Sequence, residues 1–260
     1  MRKSLKLIYL FLIFLFIFVI NLIIPINKNS TNPYTQRLFL ICLTTTLIIT
    51  IYMMFKTKKL EKKDIFIGIF FGIIAGVKSP FMGLITIITY IGLRCMFKYS
   101  SVDVPIFKRK NLKGILESII LAITYGGVLG IINLFLGISQ HKLSLSFSHI
   151  YLITALRAEV SEEIAFRLFM FAICAYLLKD NPKSKAENFL CYIIMVIPHV
   201  LLHFPDMIAT TGVSSIIGSV IVLSLLFGLP FALLQQKRDL FSAIVAHTLV
   251  DLIRFICLDI

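Results

Sequence analysis

Three carboxylates and an arginine fall in the run Glu159-Val160-Ser161-Glu162-Glu163-Ile164-Ala165-Phe166-Arg167, with apolar sequence on both sides. An ionisable side chain at the centre of a bilayer costs roughly 2.5–3.5 kcal/mol even on insertion scales, so charges in such a setting are functional candidates. On a helix, Glu163 and Arg167 lie four apart on one face and can pair. Glu162 lies about 100° round the axis and is the carboxylate kept for chemistry. Three histidines follow in the apolar C-terminal half: His199, His203 and His247. His199 and His203 share the i, i+4 spacing that places both rings on one helix face, as do His247 and Asp251. A single histidine in an apolar helix reads as an interhelical hydrogen bonder. Three polar motifs on three apolar segments read better as one shared site, because polar groups in lipid must find each other. A carboxylate with imidazoles activates water, either by taking its proton or by holding a metal that lowers its pKa. Peptide hydrolysis in or near the membrane fits that equipment, since it needs a base, an acid for the leaving amine and an oxyanion stabiliser.

The elements that must position these residues are membrane helices. Hydrophobic residues make up 58% of the 260, and mean hydropathy is +0.95; soluble domains hold about 45–50% apolar residues. The expected fold is therefore an all-α polytopic membrane protein, with a buried polar site in its C-terminal half. A net charge of +13 could suggest nucleic acid, but the lysines sit in short loops between apolar spans. Positive-inside anchoring accounts for them, and no nucleic-acid partner is expected; the partners are membrane lipids and a substrate. Cys42, Cys95, Cys174, Cys191 and Cys257 lie in or beside apolar stretches without a C-x-x-C pair, and read as packing residues.

In chain order, Leu7 to Ile26 is a span after a basic start, read as a retained helix because no small-residue cleavage site follows. Residues 27–37 form a polar turn, and Leu38 to Phe55 is a second span running into Lys56, Lys58, Lys59, Lys62 and Lys63. That cluster should be cytoplasmic, as should the N-terminus. Ile65 to Val77 and Phe81 to Phe97 are shorter apolar stretches, with Gly68, Gly72 and Gly76 in the small-xxx-small pattern of close helix packing. Ile115 to Ile138 contains Gly126, Gly127 and Gly130, and residues 139–148 form a polar connection in which His141, like the following His149, has no partner at ligand spacing. Ile150 to Leu178 is too long for one perpendicular crossing, since about 29 residues at 1.5 Å rise span roughly 43 Å; a break or amphipathic lead-in before Glu159 is expected. Phe189 to Phe204, Gly212 to Leu234 and Leu240 to Leu258 complete about eight transmembrane helices, with loop charges favouring nine. The organisation expected is N-terminal helices over 1–145 and a catalytic core over 146–260.

The pattern Glu162-Glu163-x-x-x-Arg167, then His203, then His247-x-x-x-Asp251 resembles the CAAX protease and bacteriocin-processing (CPBP/Abi) family of intramembrane endopeptidases, which includes the type II CAAX prenyl proteases. The resemblance covers roughly Leu152 to Phe255, and residues 227–230 and 243–251 follow the family's wording closely. It implies that Glu162 and His203 position and deprotonate the attacking water, that Glu163 pairs with Arg167 and braces the site, and that His247 with Asp251 stabilises the oxyanion or completes the water cage. It also leaves open a divalent metal, zinc, on Glu162, His203 and His247, against a glutamate-driven reaction without one.

Two positions depart from the family pattern. His199 stands where the family usually has phenylalanine; it reads either as half of a two-histidine metal site or as a substitution without chemical role. Asp251 replaces the usual asparagine, and an ionised aspartate cannot donate to an oxyanion, so it must be protonated, orient His247 or act as a ligand. The leading expectation is an intramembrane endopeptidase acting on a membrane-associated peptide or small membrane protein, at the cell membrane. The same fold without turnover, as in the family's bacteriocin-immunity members, is the alternative. An ion-coupled transporter is disfavoured, because no matching pair of discontinuous helices suggests inverted repeats.

Overall fold

The computed structural model describes residues 3–26, 31–57, 60–138 and 142–258. Parts of the basic N-terminal start and of the polar turn after the first span, together with Lys58, Lys59 and His141, lie outside the described residues. Among those described there is no strand. The helices are α1 (Lys3–Ile23), α2 (Pro33–Thr57), α3 (Lys62–Gly76), α4 (Pro80–Ser100), α5 (Leu112–Ile138), α6 (His149–Glu162), α7 (Phe169–Leu178), α8 (Lys185–Leu201), α9 (Pro205–Thr211), α10 (Ile217–Leu223), α11 (Leu229–Leu233) and α12 (Leu240–Leu258). Of three π-helical turns, Glu163–Leu168 and Ser224–Gly228 interrupt the α register without ending the helices that contain them, and Leu234–Arg238 closes its helix ahead of the extended Asp239.

The protein is an all-helical polytopic membrane protein, as expected. By length and composition, six helices among the described residues can cross a membrane, or seven if α8 and α9, bent by 66° at their junction, form one span. Two segments counted in the sequence fall short for different reasons. Helix α3 has only 15 residues, about 22 Å at 1.5 Å per residue. The stretch from α6 to α7 carries Glu159, Glu162, Glu163 and Arg167. The expected break before Glu159 is also absent: α6 runs unbroken to Glu162, and Glu163 keeps right-handed helical angles of φ −62° and ψ −35°. The deformation is the π-turn that follows.

The chain forms two compact units, each assembled from three separate segments. One comprises Met1–Ile65, Ile88–Asp103 and Ala165–Leu229; the other comprises Phe66–Ile87, Val104–Ile164 and Pro230–Ile260. In the first unit α1 packs on α7 and α8, and α2 on α9. Leu7, Cys174, Leu178, Cys191 and Ile194 form a buried cluster there, so these two cysteines do pack as apolar residues. All five cysteines are free thiols. Beyond the membrane helices, the exposed Glu61 is held down to about 2 by hydrogen bonds from Lys63 and Lys98.

In the second unit α12 packs along α5 and against α6. Its partner surface on α5 is made by glycine. A Cβ built on Gly126 would lie 2.7 Å from the Ala246 carbonyl oxygen and 2.8 Å from Leu249 Cβ, whereas Gly127 has nothing within 4 Å. Glycine at 126 is therefore a requirement of close approach, and α12, which carries His247, is seated by it. Gly72 and Gly83 make the same kind of contact between α3 and α4: a Cβ on Gly83 would meet the Gly72 carbonyl at 2.6 Å. Overpacking costs roughly 1–3 kcal/mol. Gly126→Val is thus expected to lower the thermal midpoint of the detergent-solubilised protein by several degrees, with Gly127→Ala unchanged. Equal midpoints for the two variants would show that α5 and α12 do not rely on this contact.

Candidate active site

Helix α6 delivers the carboxylates. Glu159, in the helix, and Glu163, in the π-turn that continues it, are one turn apart, so both reach the same neighbour. Glu159 and Glu163 are 2% and 0% exposed, while Glu162 is partly exposed. The neighbour is His247, presented from the middle of α12. Its Nδ1 lies 2.9 Å from Glu163 Oε1 and also contacts Glu159 Oε2. Phe231 stacks on the imidazole with centroids 4.3 Å apart and an interplanar angle of 26°, which fixes the ring plane. Charge on one side and an aromatic face on the other leave His247 one orientation.

Glu163 is held from a further direction. Gln235, 1% exposed, donates from Nε2 to Glu163 Oε2 at 3.1 Å and to the Glu163 carbonyl oxygen at 3.2 Å. Both residues belong to π-turns. A π-turn inserts one residue into the helical register and is frequent at functional sites. The turn at Ser224–Gly228 has a visible cause in Pro230, whose ring would clash with the carbonyl four residues back in an α-helix. There the N–H of Leu229 instead reaches the Ser224 carbonyl, five residues back.

Sequence reasoning missed Glu159 and Gln235 as partners of the site. Glu159 had a signal, since it shares a helix face with Glu163. Gln235 had none, because its approach depends on how α11 and its π-turn pack. Gln235→Leu is expected to reduce turnover by about 10- to 100-fold, the range for residues that orient a catalytic side chain, with the protein still recovered as a monodisperse species. Unchanged turnover in that variant would show that Glu163 needs no such support.

Asp251 lies one turn beyond His247 on α12 and is partly exposed. The two carboxylates that contact His247 Nδ1 are those of Glu159 and Glu163, and no hydrogen bond of Asp251 is seen among the described residues. Arg167, in the first unit, is 1% exposed and stands among the largest fully buried side chains of the chain. His199, also in the first unit, is buried, with its ring edge-on to Phe166 at 6.1 Å and 5.7 Å from the ring of His203. The two histidines are neighbours as their spacing suggested, but not on one helix face: α8 ends at Leu201, and His203 is exposed in the turn ahead of Pro205.

Glu159, Glu162 and His247 each offer one ligand atom, and these atoms lie within 4.8 Å of one another. Two carboxylate oxygens and an imidazole nitrogen are a donor set that zinc and other first-row divalent cations accept. Glu159, Glu162 and His247 therefore fit a divalent cation.

Residues 144–253 match the family model for type II CAAX prenyl endopeptidase Rce1-like proteins. No curated protein and no solved structure matches the chain. The matched segment contains the acidic run, the paired histidines, Gln235 and His247. Over residues 144–253, less than half of its length, the chain is similar to the type II CAAX prenyl endopeptidase Rce1-like proteins, which supports a relation to the CAAX protease family.

Proposed function

We propose that the protein is an intramembrane endopeptidase that hydrolyses a peptide bond in a membrane-associated peptide or small membrane protein. The observation that carries this reading is the convergence of Glu159, Glu162 and His247 within 4.8 Å, in a chain that is otherwise apolar. A membrane helix that only needed to pack would not keep three carboxylates against one imidazole.

In this reading Glu162, assisted by His203, takes a proton from water as the water oxygen adds to the scissile carbonyl. His247, oriented through Nδ1 by Glu159 and Glu163, offers Nε2–H to the developing oxyanion. The proton held by Glu162 passes to the leaving amine as the C–N bond breaks, giving one new carboxyl and one new amine. Arg167 braces the acidic run through Glu163. A divalent cation on Glu159, Glu162 and His247 would supply a water of lowered pKa. The charge of the loops supports a cytoplasmic N-terminus.

The test is cleavage by the purified, lipid-reconstituted protein of a library of membrane-proximal peptides, read by mass spectrometry. Discrete cuts near the predicted membrane boundary support an endopeptidase and reveal its sequence preference. A protein that cuts nothing in a broad library while still protecting cells from a peptide toxin would instead be an immunity protein of the same fold.

A further inference from the structure

The second unit holds a cavity of about 490 Å³ with an apolar lining that includes Phe70, Ile74, Phe107, Leu156, Val160 and Ile244. Its size falls within the roughly 300–1,000 Å³ of small-molecule pockets. Phe66 and Phe70, which also line it, are 72% and 60% exposed, so the cavity opens on a surface that is itself apolar. One wall is formed by Ile106 and Phe107, in a segment pinned to the start of α12. The N–H of Leu240 donates to the Pro105 carbonyl at 3.0 Å, and the N–H of Phe241 to the Ile106 carbonyl at 3.1 Å. The rings of Phe107 and Phe241 lie 4.6 Å apart.

Directly beyond that wall come Lys108, Arg109 and Lys110, all exposed, with Lys113 and Lys237 exposed nearby in sequence. Lys108 Nζ donates to the Lys237 carbonyl at 2.9 Å, which joins the two basic stretches. Little acid offsets them. Asp239 is fully buried and accepts from the N–H of Lys108, the hydroxyl of Ser118 and the N–H and hydroxyl of Ser242. Glu117 is engaged by Arg238 at 3.1 Å, with Arg109 farther off at 3.8 Å.

We propose that the cavity and its basic rim form a binding site for one anionic phospholipid, with an acyl chain in the cavity and the phosphate headgroup against Lys108, Arg109 and Lys110. Charge complementarity selects this occupant. A zwitterionic lipid would fill the cavity without a net attraction to the rim, and free phosphate would meet the rim without filling the cavity. The cavity adjoins the catalytic elements, since Val160 follows Glu159 and Ile244 lies one turn before His247.

The experiment is native mass spectrometry of the purified full-length protein in micelles containing phosphatidylglycerol or phosphatidylcholine with matched acyl chains. Phosphatidylglycerol is expected to be retained at least about tenfold better, because each Lys or Arg near an anionic lipid surface contributes severalfold. The combined variant Lys108→Gln, Arg109→Gln, Lys110→Gln is expected to abolish the preference. Ile67→Trp, which fills the cavity from α3, is expected to lower retention of both lipids. Equal retention of the two lipids by the unaltered protein overturns the proposal whether or not any variant folds. Retention that Ile67→Trp does not reduce overturns the assignment of the acyl chain to this cavity.

Discussion

Glu162→Gln is expected to lower peptide hydrolysis by about 10²- to 10⁴-fold, the contribution of a positioned general base, while the protein accumulates in the membrane at near-normal levels. The substitution keeps the shape of the side chain and removes its ability to take a proton. Glu162 is also the only partly exposed carboxylate of the three. It is the least enclosed of the three, whereas Glu159 and Glu163 are buried against His247. Its neutral replacement should therefore be tolerated by the fold. Activity is read on reconstituted protein and abundance by quantitative immunoblot of membranes. Full activity in the variant would end the peptidase reading.

Arg167→Ala is expected to act first on the fold. The guanidinium is 1% exposed in the midst of apolar residues, among them Ile164, Phe166 and Leu168, that are themselves buried. Truncation removes a large buried side chain and its charge together. Breaking a buried charge interaction from one side costs about 3–5 kcal/mol, a large share of the roughly 5–15 kcal/mol by which proteins are stable. Most of the folded protein should be lost, and what remains should melt at a markedly lower temperature. Arg167→Lys keeps the charge but not the planar fork of donors, and should fall between. Wild-type abundance and activity in Arg167→Ala would show that the arginine is dispensable to the fold.

Much of this architecture was legible in the sequence because lipid imposes a simple rule: long apolar runs become helices, and polar groups within them seek one another. The glycine repeat at 72 and 76 announced close helix contacts for the same reason, and the structure has them, whereas the contact at Gly126 was not foreseen. What the sequence hid depends on register and on tertiary approach. The three π-turns follow no composition signal apart from Pro230, and one of them aims Gln235 at Glu163. His203 looked helical by spacing, but Pro205 opens a new helix and leaves the residues before it in a turn. The length of the stretch from 150 to 178 suggested a break before Glu159. A helix can instead run through with a local widening, which length alone cannot reveal.

His247 illustrates both sides. Its candidacy was readable from its place in an apolar helix and from Asp251 four residues later, yet the carboxylates that contact its Nδ1 come from α6 and the π-turn that continues it. Spacing within one helix named the residue, and packing between helices named its partners.

The most direct test is single-turnover hydrolysis of one defined membrane-proximal peptide in ¹⁸O-labelled water, comparing the reconstituted wild type with Glu162→Gln. A carboxylate-driven attack of water predicts a single cut, with one labelled oxygen in the new carboxyl group, and its loss in the variant. Equal label incorporation by both proteins would contradict the role given to Glu162.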